Sequence, residues 1–189
     1  MSYTNSGYLA NQFLIAMPGM ADPNFAQTVT FVCEHGPRGA LGIVINRPLE
    51  MRLGEVLRQL ELRPDDPALA DRPVLGGGPV QTDRGFVLHS PAGHFDSTLE
   101  VSDRVHLTTS RDILEALAAG RGPERAVVAL GYSGWDAGQL DAEMAQNAWL
   151  TVTADERLVF ETPFEHRWLA AGRLLGVDLA TLSSQAGRA

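Results

Sequence analysis

The sequence contains no lysine, a single cysteine and no long apolar run. All fifteen basic residues of the 189-residue chain are arginine, which excludes a lysine Schiff base and a phosphate-loop lysine. Cys33 alone cannot form an intrachain disulfide or a zinc site that needs several thiolates. No segment approaches the roughly 20 apolar residues of a membrane helix. The first residues lack the basic and apolar regions of a signal peptide, so we expect a cytoplasmic protein that does not enter a membrane.

The composition is that of an acidic globular protein. Apolar residues make up 44% of the chain, charged residues make up 20%, and the net charge is -8. The length predicts one domain over residues 1–189, and the polar segment 183–189 is expected to be a disordered tail. Nucleic-acid binding needs clustered cations, whereas the arginines are scattered and no two are adjacent. Direct nucleic-acid binding is therefore not expected, and we expect no cofactor and no metal.

Apolar and turn-forming residues predict more strands than helices. Residues 27–34 and 41–46 should form a hairpin because the short connection between them contains proline and glycine. The predicted helices are Leu53–Leu60, Ser110–Ala119, Ala137–Asn147 and a last helix that begins at Pro163. Thr162 and Glu165 have the spacing of a capping box at that last helix, and Leu158–Phe160 is predicted to be a strand. Hairpins with interspersed helices indicate an α+β fold or an α/β fold with a mixed sheet.

The segment from Leu130 to Leu150 reads LGYSGWDAGQLDAEMAQNAWL. We interpret it as a strand, a glycine-punctuated turn and a helix, with Asp136 as the helix cap. The turn resembles a nucleophile elbow, but Trp135 replaces the second glycine that the elbow requires, so a hydrolase is disfavoured. On the helix, Gln139, Glu143 and Gln146 share one polar stripe, which is either a solvated face or the wall of a pocket.

Cys33 and His35 are two residues apart on a predicted strand, so alternation places both on one face. They could form a thiolate–imidazole pair for catalysis or redox sensing, or Cys33 could be a small buried hydrophobe. Glu34 and His35 end one strand of the hairpin, and Asn46 and Arg47 end the other. These two pairs either lie at opposite ends of the hairpin or meet in neighbouring loops.

Two further patterns give weaker signals. Residues 76–79 read GGGP and could form an anion-binding nest, although a tight connection within the sheet is the simpler interpretation. His89, His94 and His106 lack acidic neighbours at metal-ligand spacing, so they are expected to be core or surface histidines.

Four segments together resemble the YqgE/AlgH family, also called UPF0301: FLIAMPGMADPNF, TFVCEHGPRGALGIVINRP, VLGGGPV and LGYSGWDAGQLDAEMAQNAWL. The resemblance implies a bacterial cytoplasmic protein with a single α+β domain, in which about four helices flank a mixed, partly barrel-like sheet. It also implies a transcriptional regulator linked to alginate biosynthesis, with no established catalytic residues. The family-typical polar positions are candidate contacts for a ligand or partner: Glu34, His35, Asn46, Arg47, Tyr132, Trp135, Gln139 and Glu143.

Three functions follow as hypotheses. The first is a regulatory protein without catalysis that acts through a protein partner or a small ligand. The second is an enzyme or nucleotide-binding protein, which requires residues 135–143 to converge in one pocket with Glu34, His35 or Cys33. The third is direct DNA binding, which requires arginines gathered on one face and a salt-dependent affinity.

Overall fold

The computed structural model of the chain describes residues 8–186, with side chains described from residue 8 to residue 182. The strands are β1 (Gln12–Ala16), β2 (Val29–Gly36), β3 (Gly39–Val44), β4 (Pro48–Arg52), β5 (Pro73–Gly76), β6 (Val80–His89), β7 (Thr98–Glu100), β8 (His106–Thr108), β9 (Ala126–Asp136) and β10 (Trp149–Thr153). The α-helices are α1 (Leu53–Gln59), α2 (Pro67–Ala70), α3 (Asp112–Ala118), α4 (Gln139–Ala145), α5 (Glu156–Phe160), α6 (Arg167–Leu174) and α7 (Leu179–Ala186). A short 3-10 helix, Phe164–His166, precedes α6.

The chain divides into two compact units, of which the first comprises Met1–Asn46 and Ser133–Ala189. Its strand order is β10-β1-β2-β3-β9, with every neighbouring pair antiparallel, and the last four residues of β9 belong to it. Strands β2 and β3 form the predicted hairpin, in which Gly36 is paired with Gly39. That hairpin prediction is confirmed.

The core of the first unit holds α4 against the sheet. Leu140 of α4 is 1% exposed and packs on side chains from β1, β2, β9 and β10. The buried members of this cluster are Leu14, Ala16, Val32, Trp135, Leu140 and Trp149. Because burying one large apolar side chain contributes roughly 1.5–3 kcal/mol, this cluster fixes a helix of only seven residues.

The second unit is Arg47–Tyr132. Its strands follow the order β9-β6-β8-β7, and β5 pairs with β9 in parallel while β4 pairs antiparallel with β5. Helices α1 and α3 contribute Leu53, Leu57, Ile113 and Leu117 to its apolar core. The parallel pair among antiparallel neighbours makes the sheet mixed, which confirms the predicted α+β fold class.

The segment that follows Leu130 is a strand and not the predicted turn. Strand β9 continues to Asp136, with Tyr132 opposite Val80 on β6 and Trp135 opposite Ala40 on β3. Gly131 has a φ of 81°, and a side chain there would collide with the carbonyl of Gly78. The glycine therefore lets the backbone pass close to its neighbour while the strand continues.

Other differences from the sequence predictions concern short elements. Leu158–Phe160 belongs to α5 and not to a strand, because Asp155 caps that helix by accepting from the backbone N–H of Arg157 at 3.0 Å. The capping box at Thr162 is not formed, since the Thr162 hydroxyl donates back to the Arg157 carbonyl at 3.4 Å. Helices α2 and α7 were not expected. Helix α7 overlaps the predicted polar tail, whose residues 187–189 lie outside the described part of the chain.

Strand β2 contains a β-bulge at Cys33. Val32 is opposite Gly42 and Glu34 is opposite Leu41, so Cys33 is an extra residue in β2 without a counterpart in β3. A bulge interrupts the alternation of faces along a strand. Val32 and His35 therefore both lie on the side of the sheet that carries α4, although they are three residues apart.

Candidate functional site

The carboxyl group of Glu143 on α4 is the centre of a hydrogen-bonded cluster. Its Oε1 atom accepts from the indole N–H of Trp149 at 3.1 Å and from that of Trp135 at 3.3 Å. Its Oε2 atom accepts from the side-chain amide of Gln139 at 3.1 Å. Indole groups can only donate, so a half-buried carboxylate is the natural acceptor for both. We refer to Glu143, Gln139, Trp135 and Trp149 as the carboxylate latch.

Aromatic contacts surround the latch. The ring of Phe25 is stacked on Trp135 at 6.1 Å and meets Trp149 edge-on at 5.4 Å, while the two indoles are 6.3 Å apart. Such contacts contribute beyond burial of apolar area alone. Trp135 and Trp149 are 6% and 3% exposed. The latch is therefore mainly a structural device that joins α4 to β9 and β10.

The beginning of α4 uses half of the predicted capping arrangement. The side-chain oxygen of Gln139 accepts from the backbone N–H of Asp136 at 2.9 Å, which is the backward bond of a capping box. The N-cap position itself is occupied by Gly138, with a φ of 75° and no side-chain bond. Asp136 is thus not the helix cap, and Gln139 uses both ends of its amide within this segment.

His35 is tied to the opposite side of α4. Its side chain is 1% exposed, its Nδ1 atom accepts from the backbone N–H of Leu9 at 3.0 Å, and its Nε2 atom lies 3.6 Å from Oδ2 of Asp141. The ring also meets Tyr8 edge-on at 5.1 Å. Because Nδ1 is an acceptor, the neutral ring carries its proton on Nε2, facing the carboxylate of Asp141.

Cys33 does not pair with His35. Both ring nitrogens of His35 have the partners given above, whereas the thiol of Cys33 points to the carbonyl of Phe31 at 3.7 Å. The cysteine is 3% exposed, and burial, followed by the charge of Glu34, raises the pKa of its thiol far above the ordinary value. The thiolate needed for nucleophilic or redox chemistry is thus strongly disfavoured, and the bulge interrupts the strict alternation from which the shared face was predicted.

Asn46 is a backbone clamp. Its side-chain oxygen accepts from the N–H of Val29 at 3.0 Å, and its amide donates to the carbonyl of Gln27 at 2.9 Å. It therefore fixes the start of β2 beside the end of β3. Glu34 and His35 lie at the other end of the same strands, so the open question about the hairpin is decided in favour of opposite ends.

The remaining candidates have different surroundings. Glu34 is exposed on β2. Arg47 and Tyr132 belong to the second unit, where the carbonyl of Arg47 accepts from the N–H of Gly76 at 2.8 Å. The Tyr132 ring lies 5.3 Å from that of Phe86. Within the first unit, the structure therefore joins Trp135, Gln139 and Glu143 directly.

The two weaker patterns also have structural explanations. In the GGGP segment, the N–H groups of Gly76 and Gly77 donate to the carbonyls of Arg47 and Leu130 at 2.8 and 2.9 Å, so they are not free to hold an anion. His89 bonds to Thr108 Oγ1 at 2.6 Å and to the Ser90 carbonyl at 2.8 Å. Among the described residues, no group of three or more metal-binding side chains has the geometry of a metal site.

Sequence reasoning missed three members of this region. Trp149 completes the latch, Asp141 faces His35, and Phe25 covers both indoles. A detectable signal was the charge of Glu143 on a short helix between two tryptophans, because buried indoles need acceptors. None of the described helices is long and apolar enough to span a membrane.

These features define an α+β protein in which a carboxylate latch secures a short helix between two strands. Comparison with known proteins gives the family. The AlgH-like family matches residues 13–180, and this chain belongs to it.

The relatives cover nearly the whole chain. A UPF0301 protein of Thioalkalivibrio sulfidiphilus is 56% identical over 186 residues, covering 98% of this chain and 100% of the relative. One of Methylococcus capsulatus is 55% identical over 180 residues, covering 95% and 96%. The solution structure of the AlgH protein from Pseudomonas aeruginosa has 53% identity, a TM-score of 0.81 and full coverage of both chains. A crystal structure from Corynebacterium diphtheriae, with 17% identity, a TM-score of 0.72 and coverage of 93% and 91%, shares the fold.

Proposed function

We propose that this protein is a regulator without catalysis that binds a protein partner through the outer face of α4. The observation that carries the proposal is the carboxylate latch. The sequence left open whether Glu143 and Gln139 lie on a solvated face or in the wall of a pocket, and in the structure both bond within their own segment. Their role is then to hold a surface in place and not to perform chemistry on a substrate.

The surface that the latch holds is acidic. We define the outer face of α4 by exposed residues of the helix and of the segments next to it: Asp136, Gly138, Asp141, Ala142, Ala145 and Gln146. Residues 136–147 contain acidic side chains but no arginine. A rigid, negatively charged surface favours a partner with a basic patch, since complementary charge raises the association rate and excludes wrong partners. The link to alginate biosynthesis that the family resemblance implies would act through such a partner.

Site-specific photo-crosslinking in cells tests this proposal. A photoreactive residue at Ala142 should trap a defined protein, whereas the same residue at exposed Ala92 in the second unit should not. Charge reversal by Asp136→Arg should reduce capture at Ala142 at least tenfold. Asp103→Arg, an equal charge change at an exposed position of the second unit, should leave it unchanged.

An amide-resolved NMR titration discriminates among the three functions. Addition of the captured partner should perturb the amides of residues 136–147. Salt-sensitive perturbation around arginines by promoter DNA would instead support direct DNA binding. Turnover of a metabolite by the purified protein, with no partner trapped at Ala142, would contradict the proposal.

A further inference from the structure

Among the described strands, β10 pairs with β1 alone, so no described strand lies along its other edge. The bonds from Met17 N–H to the Ala148 carbonyl and from Ala154 N–H to the Asn11 carbonyl show which residues of β10 face β1. Since antiparallel strands direct alternate residues to opposite sides, Leu150 and Val152 bond to β1. The backbone groups of Trp149, Thr151 and Thr153 therefore point away from β1, and no described residue bonds to them.

The other two free edges of the described strands are protected. Strand β4 reads PLEMR and has an irregular register with its only neighbour, β5. Strand β7 has only three residues and ends in Glu100. Proline, charge and shortness are the usual protection against edge-to-edge pairing. Strand β10 reads WLTVT and has none of these devices, so its edge remains competent for pairing.

We propose that β10 pairs antiparallel with β10 of a second copy of this chain, about a two-fold axis that passes beside Thr151. In this register, Thr151 lies opposite the same residue of the other copy, and Trp149 lies opposite Thr153. All outward backbone groups of the strand find partners at once. The pairing joins the two sheet edges into one continuous sheet.

The absence of charge on β10 favours a second copy over an unrelated partner. An edge that recognises another protein can carry charges that the partner complements, but in an edge that pairs with itself the residue at the two-fold axis faces its own copy, so a charge at that position would face an equal charge. Like charges directly opposite in a sheet are destabilising, whereas threonine pairs across strands are favourable. A strand with no charged residue from 149 to 153 meets the requirement of self-pairing.

The association should be weak and dependent on salt. Five residues of strand contribute far less than the roughly 800 Å² per partner of a standard interface. Each copy carries a net charge of -8, so repulsion opposes association at low ionic strength and is screened as salt is added. We therefore expect a dimer that forms from micromolar to millimolar concentration and is strengthened by salt. This inference does not depend on the proposed function of α4.

Sedimentation velocity over that concentration range tests the inference. The unmodified protein should pass from monomer to dimer. T151K and T151E should each remain monomeric, because equal charges would face each other at the axis, and an equimolar mixture of the two should regain the dimer. A92K, which adds the same charge at an exposed position of the second unit, should dimerise like the parent chain.

A second variant and a second measurement guard against misfolding. T151P removes only an outward N–H group, so the ladder with β1 is kept and dimerisation should be lost. In the unmodified protein, hydrogen exchange at the Thr151 amide should slow at least tenfold as concentration rises. A protein that stays monomeric at millimolar concentration would overturn the inference. So would a dimer that still forms in T151K and T151P and whose formation leaves hydrogen exchange at the Thr151 amide unchanged.

Discussion

The indole N–H of Trp149 donates a hydrogen bond of 3.1 Å to Oε1 of Glu143. The two residues are six positions apart, one on α4 and one at the start of β10. The bond therefore closes the connection between the helix and the edge strand. Because Trp135 donates to the same oxygen atom, one carboxyl group sets the position of α4 relative to two strands.

Replacement of Glu143 by alanine should lower the free energy of unfolding by about 2–3 kcal/mol. The change removes the acceptor of two nearly buried indole N–H groups, and an unsatisfied buried donor costs roughly 1–3 kcal/mol. Glu143→Gln keeps an acceptor oxygen and should have a smaller effect. Urea unfolding followed by tryptophan fluorescence measures both variants.

Glu34→Ala provides the control for that measurement, since Glu34 is exposed on β2 of the same unit. It should change the free energy of unfolding by less than about 0.5 kcal/mol. If Glu143→Ala were as mild as Glu34→Ala, the latch would not stabilise the fold.

Cys33 should resist thiol reagents in the folded protein. Burial raises the pKa of the thiol, so reaction with a disulfide reagent requires an opening of the structure and should be much slower than in the denatured chain. The absorbance of the thiol that the reagent releases measures the rate of labelling. At several urea concentrations below the unfolding transition, this rate should increase as the stability of the fold decreases. Fast labelling without urea would restore the redox hypothesis for Cys33.

The stability of the second unit should fall in mild acid because of His89. Burial lowers the pKa of its imidazole, a hydrogen bond to the Ser90 carbonyl partly offsets this effect, and His106 adds to the lowering. The unfolded chain therefore binds more protons than the native state below the ordinary value of 6.5. The free energy of unfolding should decrease as the pH falls through and below that value. The total decrease is about 1.4 kcal/mol for each unit by which the pKa of His89 in the folded protein lies below its value in the unfolded chain.

Urea unfolding at a series of pH values should show that His89→Gln flattens this pH dependence, because the side chain no longer takes up a proton. His94→Gln, at an exposed position, should keep the slope of the parent protein. An unchanged slope in the His89 variant would assign the acid sensitivity to other groups.

Arg167 should be needed for stability although no described carboxylate pairs with it. The side chain is 2% exposed, donates to the carbonyls of Thr162 and Ile45 at 2.7 Å each, and lies 4.5 Å from the Phe164 ring. Its burial lowers the pKa of the guanidinium to about 10. Arg167→Met leaves both carbonyls without donors, so we expect a loss of about 2–4 kcal/mol in chemical denaturation.

Arg167→Lys should also be destabilising, since a single ammonium group cannot reproduce the planar fork that spans two carbonyls. Arg173→Met on the exposed side of α6 is the matched control and should have little effect. Equal effects of Arg167→Met and Arg173→Met would show that the buried hydrogen bonds contribute nothing.

Sequence patterns predicted the elements that rely on local signals. The hairpin of β2 and β3 is marked by apolar strands around a short turn, α1 by apolar residues on one helical face, and α3 by a serine before its start and a glycine after its end. The continuation of β9 past Leu130 was missed because its cause is not local. Glycines usually indicate a turn, but Gly131 serves a close backbone approach by a distant segment, at Gly78.

The sequence predicted which residues belong to the candidate site, but it did not predict what those residues do. Gln139 and Glu143 were identified by helical spacing, yet their hydrogen bonds depend on Trp149 and on the direction of the indole N–H groups. Likewise, Cys33 and His35 were assigned to one face by strict alternation. A bulge depends on the pairing with β3, and the sequence of β2 alone does not reveal it.

The bulge at Cys33 has a consequence for insertions and deletions. Cys33 has no counterpart in β3, so the paired residues on either side of it already continue the alternation of faces. Deleting Cys33 would leave Glu34 opposite Leu41 and His35 opposite Ala40, so His35 would keep the face that carries α4. An additional residue would instead require a longer bulge or a shift of the pairing, so β2 should tolerate the loss of one residue at Cys33 better than the gain of one.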